Sequence, residues 1–209
     1  ILGDYNFRGD LETKHSNADP EREYCVQYRE TDFDFIKRLC EEDGIYFYFD
    51  FLDDGVKMIM ADSASTHADM EGDSEIPFRD DEAEQQLDHI YKWESVEKVV
   101  SGKITLEDYN FEKPKADLKA TASIKNGKHS HKAYEVYKYP GRYRHVNEGE
   151  TFATTMMEAE AAGHQRWRVE GNAHNMWVGQ VFDLIDHPRH AAADMNKFLI
   201  TQAKQYFRL

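Results

Sequence analysis

Apolar positions along this chain change period several times, and the changes divide it into elements. Residues 24–28, Tyr-Cys-Val-Gln-Tyr, read as a short strand. Thr31 and Asp32 then offer side-chain oxygens to the first free N–H groups of a helix. Within it Phe33, Ile36, Leu39 and Cys40 recur at three- and four-residue spacing, an apolar stripe that leaves Lys37, Glu41 and Glu42 to solvent. Gly44 predicts the stop, because glycine adopts the left-handed conformation of a helix C-cap without strain. Residues 45–51, Ile-Tyr-Phe-Tyr-Phe-Asp-Phe, have strong strand preference, Asp53, Asp54 and Gly55 have turn chemistry, and residues 56–60 return as a second strand. A strand this aromatic has bulky groups on both faces, so both need cover, from its own domain or from another subunit.

Residues 62–84 turn acidic and small with little period, which predicts a solvated connection. Strands follow around residues 91–96 and 102–109, and residues 134–139 form another that runs into Pro140 and Gly141, where glycine is expected to take a positive φ. Residues 148–167 collect Ala153, Met156, Met157, Ala159 and Ala161, a second helix ended or frayed by Gly163. Residues 175–185 and 197–207 read as strands, the last still running where the sequence stops. That ending, with Ile1 at the start and no charged-then-apolar leader, predicts a piece of a longer protein without a signal peptide. The pattern as a whole is α+β and β-rich.

Composition narrows the function classes. The 209 residues are 40% hydrophobic and 13% aromatic, enough for a packed core. A mean hydropathy of -0.80 and 32% charged residues predict no stable membrane insertion. With 26 Lys and Arg against 40 Asp and Glu the formal charge is -14, a field that repels phosphate backbones and predicts no nucleic-acid partner; basic residues read as scattered singly. Cys25 and Cys40 are too few for a disulfide framework or a four-ligand zinc site and read as buried thiols.

Candidate chemistry is sparse. His129 and His131 form an H-x-H pair, and His187 and His190 bracket Pro188 and Arg189; a metal-dependent hydrolase would need these four to converge on one ion. Neither pair sits in an H-E-x-x-H or Cys-x-x-Cys frame, so surface histidines and a turn are the simpler reading. Ser63 and Ser65 lie in no G-x-S-x-G elbow, the pairs Asp53–Asp54 and Asp80–Asp81 belong to charge runs, and Gly149, Gly171 and Gly179 form no nucleotide-binding loop. The expectation is no catalytic, cofactor-binding or metal residue, no cofactor and no enzyme activity.

Several ordered segments nevertheless resemble one family. Residues 23–49, Met60 to Asp62, residues 134–143 from Tyr-Glu-Val-Tyr to Gly-Arg-Tyr, Glu148 to Glu150, Glu158–Ala159 and residues 179–188 are similar, in order and spacing, to the VgrG spikes of type VI secretion. Met156 stands where such proteins often carry a basic residue, and residues 62–84 match nothing particular. The resemblance implies a phage baseplate-hub-like fold, with an α+β domain of residues 1–88 and 116–165 interleaved with a barrel-like β domain of residues 89–115 and 166–209. It also implies a homotrimer that joins rings of the inner-tube protein to a puncturing needle and carries effector or needle-tip proteins. Such a protein is assembled in the bacterial cytoplasm and then secreted by injection. A phage or prophage tail hub, which shares the fold, stands as the alternative.

Overall fold

The computed structural model describes residues 1–2, 11–14, 22, 24–53, 55–80, 87–189 and 196–206. Among the described residues it is a mixed α+β fold of two α-helices and short strands, and the chain divides into two compact units, unit one from residues 1–94 and 168–209 and unit two from residues 95–167. Lys103–Leu106 pairs with Ala120–Ser123 on one side and Glu135–Lys138 on the other.

In unit one, β1 (Leu11–Lys14) lies parallel to β3 (Gly55–Ala61), which pairs antiparallel with β2 (Tyr46–Leu52) through a register running from Tyr46 opposite Ala61 to Leu52 opposite Gly55. Helix α1 (Asp32–Asp43) precedes the hairpin. Its start follows from Thr31, whose hydroxyl accepts the Asp34 N–H, and its end from Gly44 at φ 73°. Acidic Glu41, Glu42 and Asp43 crowd the negative end of the helix dipole. Two arginines offset them: Arg22 reaches Glu42 at 2.6 Å and Asp43 at 2.7 Å, and Arg38 bridges Glu30 at 2.7 Å to Glu42 at 3.5 Å.

A second sheet of unit one orders β11 (Lys197–Leu199), β10 (Val181–Ile185) and β4 (Glu75–Pro77), the outer pair antiparallel and parallel to β10 respectively. Ile76, Phe182, Leu184 and Phe198 form its buried face, and Trp93 packs edge-on against Phe198 at 4.7 Å between centroids. Residues 62–80 are therefore not the solvated connection expected. They hold a 3-10 turn at Ala64–Thr66, the buried Met70 and Ile76, and a strand that pairs more than a hundred residues away.

Unit two packs α2 (Val146–Ala161) on one face of a sheet ordered β7 (Ala120–Ser123), β6 (Lys103–Leu106), β8 (Glu135–Lys138). Ile104, Leu106, Leu118, Ala120, Tyr143, Ala153 and Met157 make its core. The Tyr143 hydroxyl donates to the Leu118 carbonyl, and its ring fills the space where a Cβ at Gly149 would stand. That contact accounts for a glycine inside a helix, where it costs about 1 kcal/mol relative to alanine. Beyond Pro140 the positive φ falls on Arg142, at 63°, and not on Gly141. The helix expected over residues 148–167 ends at Ala161, and Gln165–Gly171 is a strand, β9, paired with β5 (Ile90–Glu97). Among the described residues the sheets hold two or three strands each and none closes into a barrel.

Candidate functional site

The histidines do not assemble a metal centre among the described residues. His129 belongs to unit two, half-buried beside the His164 ring at 6.2 Å. His187 belongs to unit one, buried edge-on against Phe78 at 4.6 Å, and its Nδ1 accepts the Arg189 N–H. Both have aromatic neighbours suited to packing. The side chain of His131 and all of His190 lie outside the described residues. Cys40 is buried, which pushes its thiol up from the ordinary cysteine range, whereas Cys25 is exposed and not the buried thiol expected.

The histidine that organises its surroundings lies in no sequence motif. His67 stacks on Tyr46 at 5.6 Å and tilts against Tyr48 at 5.0 Å. Its Nδ1–H donates to the Gly179 carbonyl at 2.7 Å, and its Nε2 lies 2.8 Å from Tyr46 Oη. Gly179, at φ 90°, presents its backbone to the Tyr48 ring where a Cβ would overlap that ring. This clasp ties the aromatic hairpin to the chain entering β10 and raises both tyrosines above their ordinary range, chiefly by burial. It is a device for rigidity, because one ring holds two aromatic side chains and a distant carbonyl.

The other feature of unit one is apolar surface left open. Tyr24–Tyr28, expected as a strand, is not one and pairs with no strand among the described residues, and Tyr24 and Tyr28 stand 81% and 70% exposed. Phe33 heads the apolar stripe of α1 and touches Phe47 edge-on at 6.1 Å, yet remains 61% exposed. Phe51 is 67% exposed. Unit two likewise leaves Tyr109, Phe111, Tyr134, Tyr137 and Tyr139 exposed.

Comparison with known proteins gives these surfaces a context. The chain is 35% identical over 207 residues to the type VI secretion system spike protein VgrG1b of Pseudomonas aeruginosa, which covers 99% of this chain and 27% of that protein. It is 34% identical over 187 residues to VgrG1a of the same organism, covering 89% of this chain and 28% of that protein. Against VgrG1c the figures are 32% over 207 residues, 99% and 28%. The chain thus spans about a quarter of the length of these curated relatives. Residues 1–208 match the phage tail baseplate hub (GPD) family, and on that match over nearly its whole length this chain belongs to the phage tail baseplate hub family.

Proposed function

We propose that this chain is the central hub region of a type VI secretion spike, three copies closing a ring that joins the inner tube to the puncturing needle and carries effectors outward. The observation that supports the ring is the aromatic surface of unit one, with Tyr24, Tyr28, Phe33 and Phe51 open in the single chain. Burying such groups between copies would supply about 1.5–3 kcal/mol for each side chain fully removed from water. In this reading the work is mechanical, done by stiff elements such as the His67 clasp, and no turnover chemistry is assigned to these residues. The interleaved arrangement with a barrel-like part, assembly in the cytoplasm and exit by injection belong to the same proposal.

The test is a secretion assay in the full-length protein carrying Phe33→Ser and Phe51→Ser. Release of inner-tube protein into the medium should fall at least tenfold while circular dichroism of the purified variant stays native. Normal release would remove the basis for a ring built on this surface. A hub of a phage or prophage tail is the second reading, favoured by the family match itself; it predicts the same loss, read as failure to form infectious particles.

A further inference from the structure

The net charge is divided unevenly between the two units. Unit two holds 12 Lys and Arg against 10 Asp and Glu, which leaves unit one 14 against 30. Unit one therefore carries -16 of formal charge and unit two +2. Inside unit two the basic groups are concentrated: residues 113–132 contain six lysines and one carboxylate, Asp117. This corrects the reading of basic residues as scattered singly. Lys113, Lys115, Lys119, Lys125 and Lys128 are exposed.

Four of the ten carboxylates of unit two are held by hydrogen bonds or an ion pair within the unit. Glu107 takes the Tyr137 hydroxyl, Asp108 takes the backbone N–H of Tyr109 and Arg142, and Glu135 takes the Thr105 hydroxyl and the Lys103 ammonium. Glu148 receives the backbone N–H of Arg144 and His145 at the start of α2. The lysines of residues 113–132 flank β7, an edge strand whose Thr121 and Ser123 are exposed, with Lys119 just before it and Lys125 just after. Exposed and close in sequence, they make this segment cationic on a chain that is otherwise strongly anionic.

We infer that this lysine face is one half of a contact between copies, and that it docks on the acidic unit one of a second copy. The inference rests on the hub reading and adds polarity to it. Two copies meeting through unit one on both sides would bring -16 against -16, whereas unit two against unit one brings opposite signs together. A contact between unlike surfaces is head-to-tail, the kind that closes a ring and not a two-fold dimer. Charges more than about 8 Å from the seam are screened at physiological salt, so the lysines nearest the seam govern association rate and salt dependence.

The experiment is sedimentation equilibrium on the full-length protein, wild type beside Lys115→Glu, Lys125→Glu and Lys128→Glu combined, at low and physiological salt. The expected result is a trimer for wild type that weakens with salt, and association at least tenfold weaker in the triple variant with its circular dichroism unchanged. If the variant trimerises as tightly as wild type, the lysine face is overturned while the ring stands. If wild type is monomeric throughout, the hub reading itself fails. Lysines beside an edge strand also guard it against unwanted pairing. A Lys→Ser triple variant separates the two roles, because aggregation of that variant with normal trimers in the Glu variant would mean edge protection only.

Discussion

Replacing Met157 by alanine should be among the costliest single truncations in unit two. Its side chain is fully enclosed among Ile104, Leu106, Leu118, Ala120, Tyr143 and Ala153. Buried methionine-to-alanine changes cost about 2–5 kcal/mol, and where a site falls in that range depends on how far the walls collapse. Here they are stiff: the sheet forms one wall, and the Tyr143 ring is pinned by its hydroxyl on Leu118 and crowded by Gly149. The expected loss is therefore about 3–4 kcal/mol. Met156, its neighbour on the helix, is only half-buried at the margin of the same cluster, and its truncation should cost about 1 kcal/mol. Urea unfolding followed by far-ultraviolet circular dichroism measures both. Equal losses for the two, or a Met157→Ala protein within about 0.5 kcal/mol of wild type, would refute the helix orientation and the core built on it.

Gly179→Ala should destabilise unit one by about 1–3 kcal/mol, because an L-residue is strained at φ 90° and the new methyl meets Tyr48; thermal unfolding beside the exposed control Thr151→Ala reads the difference. Phe33→Ala should lower the stability of the isolated chain by less than about 1.5 kcal/mol, since its ring is mostly exposed there, yet sharply reduce association, which unfolding at several protein concentrations separates. Glu135 is held below the usual carboxylate range, first by the Thr105 hydroxyl and then by Lys103. A depressed carboxyl contributes stability above its unfolded value near 4.3 that is lost as pH falls through the lower folded value. Glu135→Gln should accordingly be less stable than wild type at neutral pH, with the gap closing below about pH 4; a gap unchanged by acid would remove that carboxylate from the account.

What the sequence disclosed and what it hid follow from the range of the interactions involved. The unit of α1 and the hairpin was legible to within a residue or two, because Thr31, Gly44 and Gly55 act on their own neighbours and the apolar spacing of α1 is local. Strand β4 was not legible, since three residues gain their structure from β10, distant in the chain, and carry no period of their own. The end of α2 was missed because Ala161 gives way to a strand of alternating exposure, Gln165–Gly171, with only Gly163 to mark the change. His67 had no motif around it; its role comes from Tyr46 and Gly179 converging on one imidazole. The segment Tyr24–Tyr28 kept its strand-like composition without a strand partner, and Phe33 its place on the apolar stripe without burial. The strand expected at Tyr24–Tyr28 is not formed, and in the proposed ring a second copy would cover both segments.

Multi-angle light scattering on the full-length protein over a concentration series tests the proposed ring most directly. The account predicts the mass of three chains, falling toward one on dilution in the Phe33→Ser, Phe51→Ser variant. A wild-type protein that stays at the mass of one chain at every concentration would contradict it.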